Sequence, residues 1–224
     1  FAPTGGLPAY YLEITSGSLT GYVADIISNN STTLTLNASL TSILGTTPNI
    51  VIRPHVRASG LFQGNTSLTD YIDTVTVYNS DGTAKSLLRD SSSSTGWVNG
   101  DSFNSDDFVI YPGQAFLLSV SQSGTLTISG QVKTTPTMIP LYSGAPNYVS
   151  LSNPSSAKPI QSVNLGANMT DFIDTVAKLS TDGNLNQTSV FLWGGSSDGF
   201  LNADSFQPVT DNVPGSDALL VSVS

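Results

Sequence analysis

TTLTLNASL, Thr32 to Leu40, sets Leu34, Leu36, Ala38 and Leu40 against Thr33, Thr35, Asn37 and Ser39, one apolar residue to each polar one. Successive side chains of a strand point to opposite faces, so this period of two lays the apolar residues on one face and the polar residues on the other. On either side, Tyr10–Thr15, Gly21–Ile27 and Asn49–Arg53 read as further short strands, each bounded by Gly, Asn, Ser or Pro. The first 60 residues therefore predict a small β unit. Ahead of it, Phe1–Ala9 is apolar and uncharged and contains Pro and Gly. With Phe1, Leu7 and Tyr10 it is expected to act as an assembly arm, lying on its own domain or completing a neighbour's sheet.

Composition points the same way. Charged residues are 10% of the 224 residues, and Glu13 is the one Glu among 16 acidic residues. Helix-favouring Glu, Lys and Arg are scarce, while Asp, with 20 Gly and 12 Pro, supplies turns. Abundant Thr suits solvated strand faces. A net charge of -9 with no basic cluster argues against nucleic acid or anionic lipid as a partner. There is no apolar run of about 18 residues, so no membrane-spanning helix is expected. Cysteine is absent, which removes disulfides, thiolate metal sites and cysteine nucleophiles together. The chain starts at Phe1, as expected of an exported protein that has lost a signal peptide.

The second half echoes the first. SLTDYIDTV (67–75) returns as NMTDFIDTV (168–176), NGDSF (99–103) as NADSF (202–206), and PGQAFLLSVS from Pro112 as PGSDALLVSVS from Pro214. Three motifs in one order at an offset of about 101 imply an internal duplication. Each copy has strand grammar: Thr74–Tyr78 precedes an Asp81-Gly82 hairpin signal, with Asp182-Gly183 in the equivalent place. Phe108–Tyr111, Ala115–Ser121 and Thr125–Val132 complete the first copy, and Asn147–Leu151 is a strand inside the connection. The expected organisation is an N-terminal β unit (1–60), β repeat 1 (61–132), a Pro-rich connection (133–160) and β repeat 2 (161–224). The expected fold is all-β, antiparallel and sandwich- or barrel-like, with the repeats related by a pseudo-twofold.

Candidate chemistry is sparse. His55, the only histidine, is accompanied by no G-x-S-x-G and no recognisable triad order, so it reads as a strand-end residue beside Arg53 and Arg57. Asp70 and Asp73 are of the type that cleaves glycosidic bonds. They recur as Asp171 and Asp174, and a duplicated pair suits a repeated scaffold better than a single active site. T-D-x-I-D reads as a turn or one-turn helix, with Thr69 or Asp70 capping backbone donors and Ile72 anchored in the core. Asp101, Asn104, Asp106 and Asp107 are the best candidate calcium ligands, and Asp182, Asn184 and Asn186 a lesser set. Trp97 and Trp193 are candidate glycan-stacking rings. No cofactor beyond possible calcium is expected.

At YYLEITSGSLTGYVADIISNNSTTLTL, IVIRPH and the duplicated motifs, the chain resembles a paralogous family of exported β-rich proteins from Verrucomicrobium and related bacteria. The shared segments are Tyr11–Gly17, Thr33–Leu36, Val51–His55, Trp97–Leu117 and Val132–Thr137. That family has no assigned activity, so the resemblance implies bacterial export and β structure only. The second copy departs from the pattern, with Phe200 where the first has Trp97. The expected function is a bacterial extracellular or cell-surface structural protein, not an enzyme, whose partners are copies of itself in a fibre, sheath or surface layer. A carbohydrate-binding or adhesive module that meets cell-surface glycan is the rival expectation, and a glycoside hydrolase a distant one.

Overall fold

The computed structural model describes residues 1–40, 47–62, 64, 67–79, 82–127, 133–150, 158–180, 185–210, 212–213 and 218–224. In chain order the strands are β1 (Tyr10–Ile14), β2 (Val23–Asn29), β3 (Leu34–Leu36), β4 (Ile50–Pro54), β5 (Val56–Arg57), β6 (Thr74–Tyr78), β7 (Ala84–Arg89), β8 (Trp97–Asn99) and β9 (Val109–Ile110). They continue as β10 (Phe116–Ser119), β11 (Asn147–Ser150), β12 (Lys158–Pro159), β13 (Thr175–Leu179), β14 (Gln187–Trp193), β15 (Phe200–Asn202), β16 (Asn212–Val213) and β17 (Ala218–Ser222). Among the described residues, Ala58–Leu61 is the one α-helical turn. The protein is all-β, as expected from its shortage of helix-forming residues.

The chain forms two compact units whose segments interleave. The first takes Phe1–Ile72, Leu87–Pro112 and Ser121–Ile139, and the second takes Asp73–Ser86, Gly113–Val120 and Pro140–Ser224. The first unit is built on an antiparallel sheet of order β3-β2-β1-β4. Leu12, Ile14 and Ile26 bury themselves on one face with Leu40, and Leu34, Leu36 and Ile52 pack against them. The alternation in Thr32–Leu40 thus delivers its leucines to one core. Burying a side chain such as Ile14 or Ile26 contributes about 1.5–3 kcal/mol.

Of the two courses expected for the segment of Phe1, Leu7 and Tyr10, the structure shows Phe1–Ala9 on its own unit. Thr4 and Leu7 exchange backbone hydrogen bonds of 2.9 and 3.2 Å, and the Phe1 ring stands edge-on to Tyr10 at 5.0 Å. Arg57 donates to the carbonyls of Leu7 and Pro8. Gly5 and Gly6, at φ of +60° and +77°, reverse the chain and return it to its own unit.

The second unit centres on an antiparallel sheet of order β11-β17-β13-β14-β15. Val176, Phe191, Leu219 and Val221 are fully buried there. The buried Asn147 amide donates to the carbonyls of Tyr142, Ala145 and Val221, which anchors β11 to β17. β10 pairs with β6 in this unit, and the second half of β7 pairs with β8 in the first unit. The hairpin signals at Asp81-Gly82 and Asp182-Gly183 lie wholly or partly outside the described residues. So do most of the strand expected at Thr125–Val132 and the lesser calcium set at Asp182 and Asn184.

Candidate functional site

The face of the first sheet opposite its apolar core is polar and covered. Tyr11 and Glu13 of β1 pair with Asp25 and Val23 of β2 and with Arg53 and Val51 of β4, which places Tyr11, Glu13, Asp25 and Arg53 on one face. Glu13 is fully buried. Arg53 Nε donates to its carboxylate at 2.5 Å, Lys133 Nζ lies 2.9 Å away, and the Thr135 hydroxyl donates to it as well. Burial by itself raises the Glu13 carboxyl, but the bonds from Thr135, Lys133 and Arg53 outweigh it and hold the group below its ordinary value. The segment 133–138 that supplies Lys133 and Thr135 is tied down again by Met138, whose amide donates to the Gly21 carbonyl at 3.0 Å.

Beside this lies a second cluster, gathered around the buried His55. His55 Nε2 meets Asp25 at 3.0 Å, and the Tyr111 hydroxyl and the Asn37 amide both donate to the other Asp25 oxygen. The His55 ring sits between Tyr11 and Tyr111, with centroids 4.9 and 5.2 Å away, and its Nδ1 is buried without a partner. Burial and the adjacent Asp25 charge raise the Tyr111 phenol above its ordinary value. Glu13, Arg53, His55, Tyr111, Lys133 and Thr135 come from segments far apart in sequence, and together they cross-brace the sheet. The His55 side chain is fully buried and stands directly after β4.

The surface carries a different feature twice. In the first unit Tyr71 has φ of +60° and Phe103 has φ of +54°, a left-handed backbone that bulky residues rarely adopt. Tyr71 is held by its amide, which donates to the Arg89 carbonyl at 2.8 Å, and by its hydroxyl, which donates to Asp90 at 2.9 Å. Phe103 is held by its amide, donated to the Asn99 carbonyl. The Asn99 side chain accepts from the amides of Asp101 and Ser102 in the same turn. The two rings lie 6.3 Å apart at 49°, and they are 55% and 60% exposed.

Beneath this knuckle the support is polar. Ser91 donates to Asp70 through both amide and hydroxyl, and Arg89 donates to the Gly96 carbonyl with its guanidinium 5.7 Å from the Trp97 ring. Hydrogen bonds from the Ser92 hydroxyl and amide and from the Tyr71 hydroxyl hold Asp90 below the usual carboxylate range.

In the second unit Phe172 and Phe206 have φ of +58° and +55°. The Phe172 amide donates to the Trp193 carbonyl and the Phe206 amide to the Asn202 carbonyl, while Asn202 accepts from Asp204 and Ser205. Ile72 and Ile173 are 61% and 62% exposed beside them. The anchoring role expected of Ile72 is therefore wrong. In T-D-x-I-D it is the second Asp that goes inside: Asp73 and Asp174 are buried, and Asp174 accepts from the amides of Thr170 and Ser224 at 2.7 and 2.8 Å. At that turn the aspartate does the capping, not Thr170.

The other expected sites fare unevenly. Trp97 is fully buried, edge-on to Phe62 at 5.4 Å, and so presents no face to a sugar. Trp193 packs on Phe200 at 5.0 Å and over Gly166, where any side chain would strike the ring. Asp107 turns inward to the amide and hydroxyl of Ser59, and Asp106 caps the amide of Asp107. With Asp107 engaged, Asp101, Asn104 and Asp106 do not assemble the expected calcium shell. Among the described residues no three acidic or histidine side chains gather as cation ligands. The signal for the knuckles was present in sequence: an aromatic residue set between two Asp in a turn, twice. Compared with protein-family models, with curated proteins and with solved structures, the chain matches none.

Proposed function

We propose that this chain is a structural protein of the bacterial exterior that associates with copies of itself by pairing sheet edges. The observation that carries the reading is β4. Among the described residues it is the end strand of its sheet, and its Ile50 and Val51 are exposed. Such an edge offers unpaired backbone groups to another strand, and proteins that stay apart usually guard it with lysines or inward charges. Here the only charge on the strand, Arg53, is turned to Glu13, and the guard is Pro54 at one end. Low overall charge and abundant hydroxyl residues support the same reading, as does the resemblance to exported bacterial proteins. Among the described residues no helix is long and apolar enough to cross a membrane.

Light scattering and negative-stain electron microscopy on the purified chain test this. The intact protein is expected to grow into multimers as concentration rises, and Ile50→Lys/Val51→Lys to remain folded and monomeric. A monomer at every concentration for the intact chain, or multimers unchanged in the double variant, defeats the reading.

A further inference from the structure

Four large rings are held on the surface by backbone that resists them. In the left-handed region a β-carbon crowds the following carbonyl, and such strain persists only where the surroundings impose it. Tyr71, Phe103, Phe172 and Phe206 are each imposed by a backbone hydrogen bond, yet none buries its ring in return. A strained, exposed ring that contributes little to the fold points to something outside the chain.

We propose that Tyr71 and Phe103, with Ile72 beside them, form a stacking platform for a neutral polysaccharide, and that Phe172, Phe206 and Ile173 form its counterpart in the second unit. Charge selects this occupant. Asp70 and Asp90 border Tyr71, and Asp101 lies in the turn that carries Phe103. The nearby cation, Arg89, is engaged with Gly96 and Trp97. A polyanion is repelled here. A second copy docking knuckle to knuckle brings its own carboxylates, and like charges at close range oppose that contact. A neutral sugar has no such charge. Its C–H faces lie against the electron-rich ring faces, and its hydroxyls donate to carboxylate oxygens. Rings 6.3 Å apart and tilted by 49° suit successive residues of a twisting chain better than one flat surface. The inference is independent of edge pairing, because β4 contributes nothing to either platform.

Affinity electrophoresis tests it, in gels containing hydroxyethylcellulose or mannan as neutral polymers and polygalacturonate as the anionic one. The intact chain is expected to be retarded by a neutral polymer and not by polygalacturonate. Tyr71→Gly/Phe103→Gly should weaken binding about tenfold for each ring, and adding Phe172→Gly/Phe206→Gly should abolish it. Glycine accepts the positive φ, so the variants should keep their thermal midpoint, and lost retardation then reports the rings and not the fold. Absence of retardation by either neutral polymer, or unchanged retardation in the fourfold variant, overturns the proposal. A shift in particle size of the variants without any polysaccharide makes the partner a second copy and overturns it equally.

Discussion

The first unit and the second each hold two exposed aromatic residues at left-handed φ, on different foundations. Arg89 and Trp193 occupy matching places, since each offers its carbonyl to the strained aromatic and each pairs across its hairpin, with Trp97 and Phe200 respectively. Below Tyr71 lies a lattice of Asp70, Asp90, Arg89 and serine hydroxyls. Below Phe172 lie Trp193 packed on Phe200 and, next along the chain, Gly194 where the first knuckle has Asp90. The foundations differ, one ionic and one apolar, while an exposed aromatic pair at left-handed φ and an asparagine turn stand on both.

The comparison breaks most readily at its foundations. Trp97→Ala and Phe200→Ala each remove a fully buried ring and should cost about 3–5 kcal/mol, read from urea midpoints. If Trp97→Ala costs below about 1 kcal/mol, the polar lattice carries the first knuckle without its tryptophan, and the two foundations are not equivalent.

A smaller effect separates the two by pH. Asp90 has a depressed folded value, so its contribution is fully present above the ordinary carboxylate value of about 4 and is lost as pH falls through the folded one. Gly194 contributes no such term. Fluorescence of Trp97 in Trp193→Phe, set against that of Trp193 in Trp97→Phe, should show the first knuckle loosening at the higher pH. Coincident acid transitions would mean that both units respond as one.

The smallest effect is at the tips. Tyr71→Gly or Phe172→Gly relieves about 1–2 kcal/mol of left-handed strain and adds about 0.5–1 kcal/mol of backbone entropy cost, so calorimetry should find stability unchanged or raised by about 1 kcal/mol. A loss of more than about 1 kcal/mol for Tyr71→Gly alone would show that the hydroxyl bond to Asp90 outweighs the strain.

The strands were legible because their signals are local. Thr74–Tyr78 is a strand at its expected bounds, and Tyr10–Thr15, Asn49–Arg53 and Asn147–Leu151 fall within a residue or so of theirs. Alternation and turn residues need no knowledge of the rest of the chain. What failed needed distant partners. Hydrophobicity alone sends Ile72 to the core, yet it follows a turn tip where strand alternation no longer applies. Trp97 reads as a ligand face because nothing near it in sequence shows that Phe62 covers it. An apolar segment likewise does not tell whether Phe1–Ala9 lies on its own domain or on a neighbour's, and the φ angles of Gly5 and Gly6 settle its course in this chain.

The carboxylate of Glu13 also sets an order on folding. Its partners Lys133 and Thr135 stand more than a hundred residues downstream, so closing this contact requires a long loop to be pinned first. A nascent chain that ends before Lys133 holds all of β1 to β4 but leaves a buried-to-be anion without its ammonium. The sheet of β1 to β4 is therefore synthesised well before the segment that seals it.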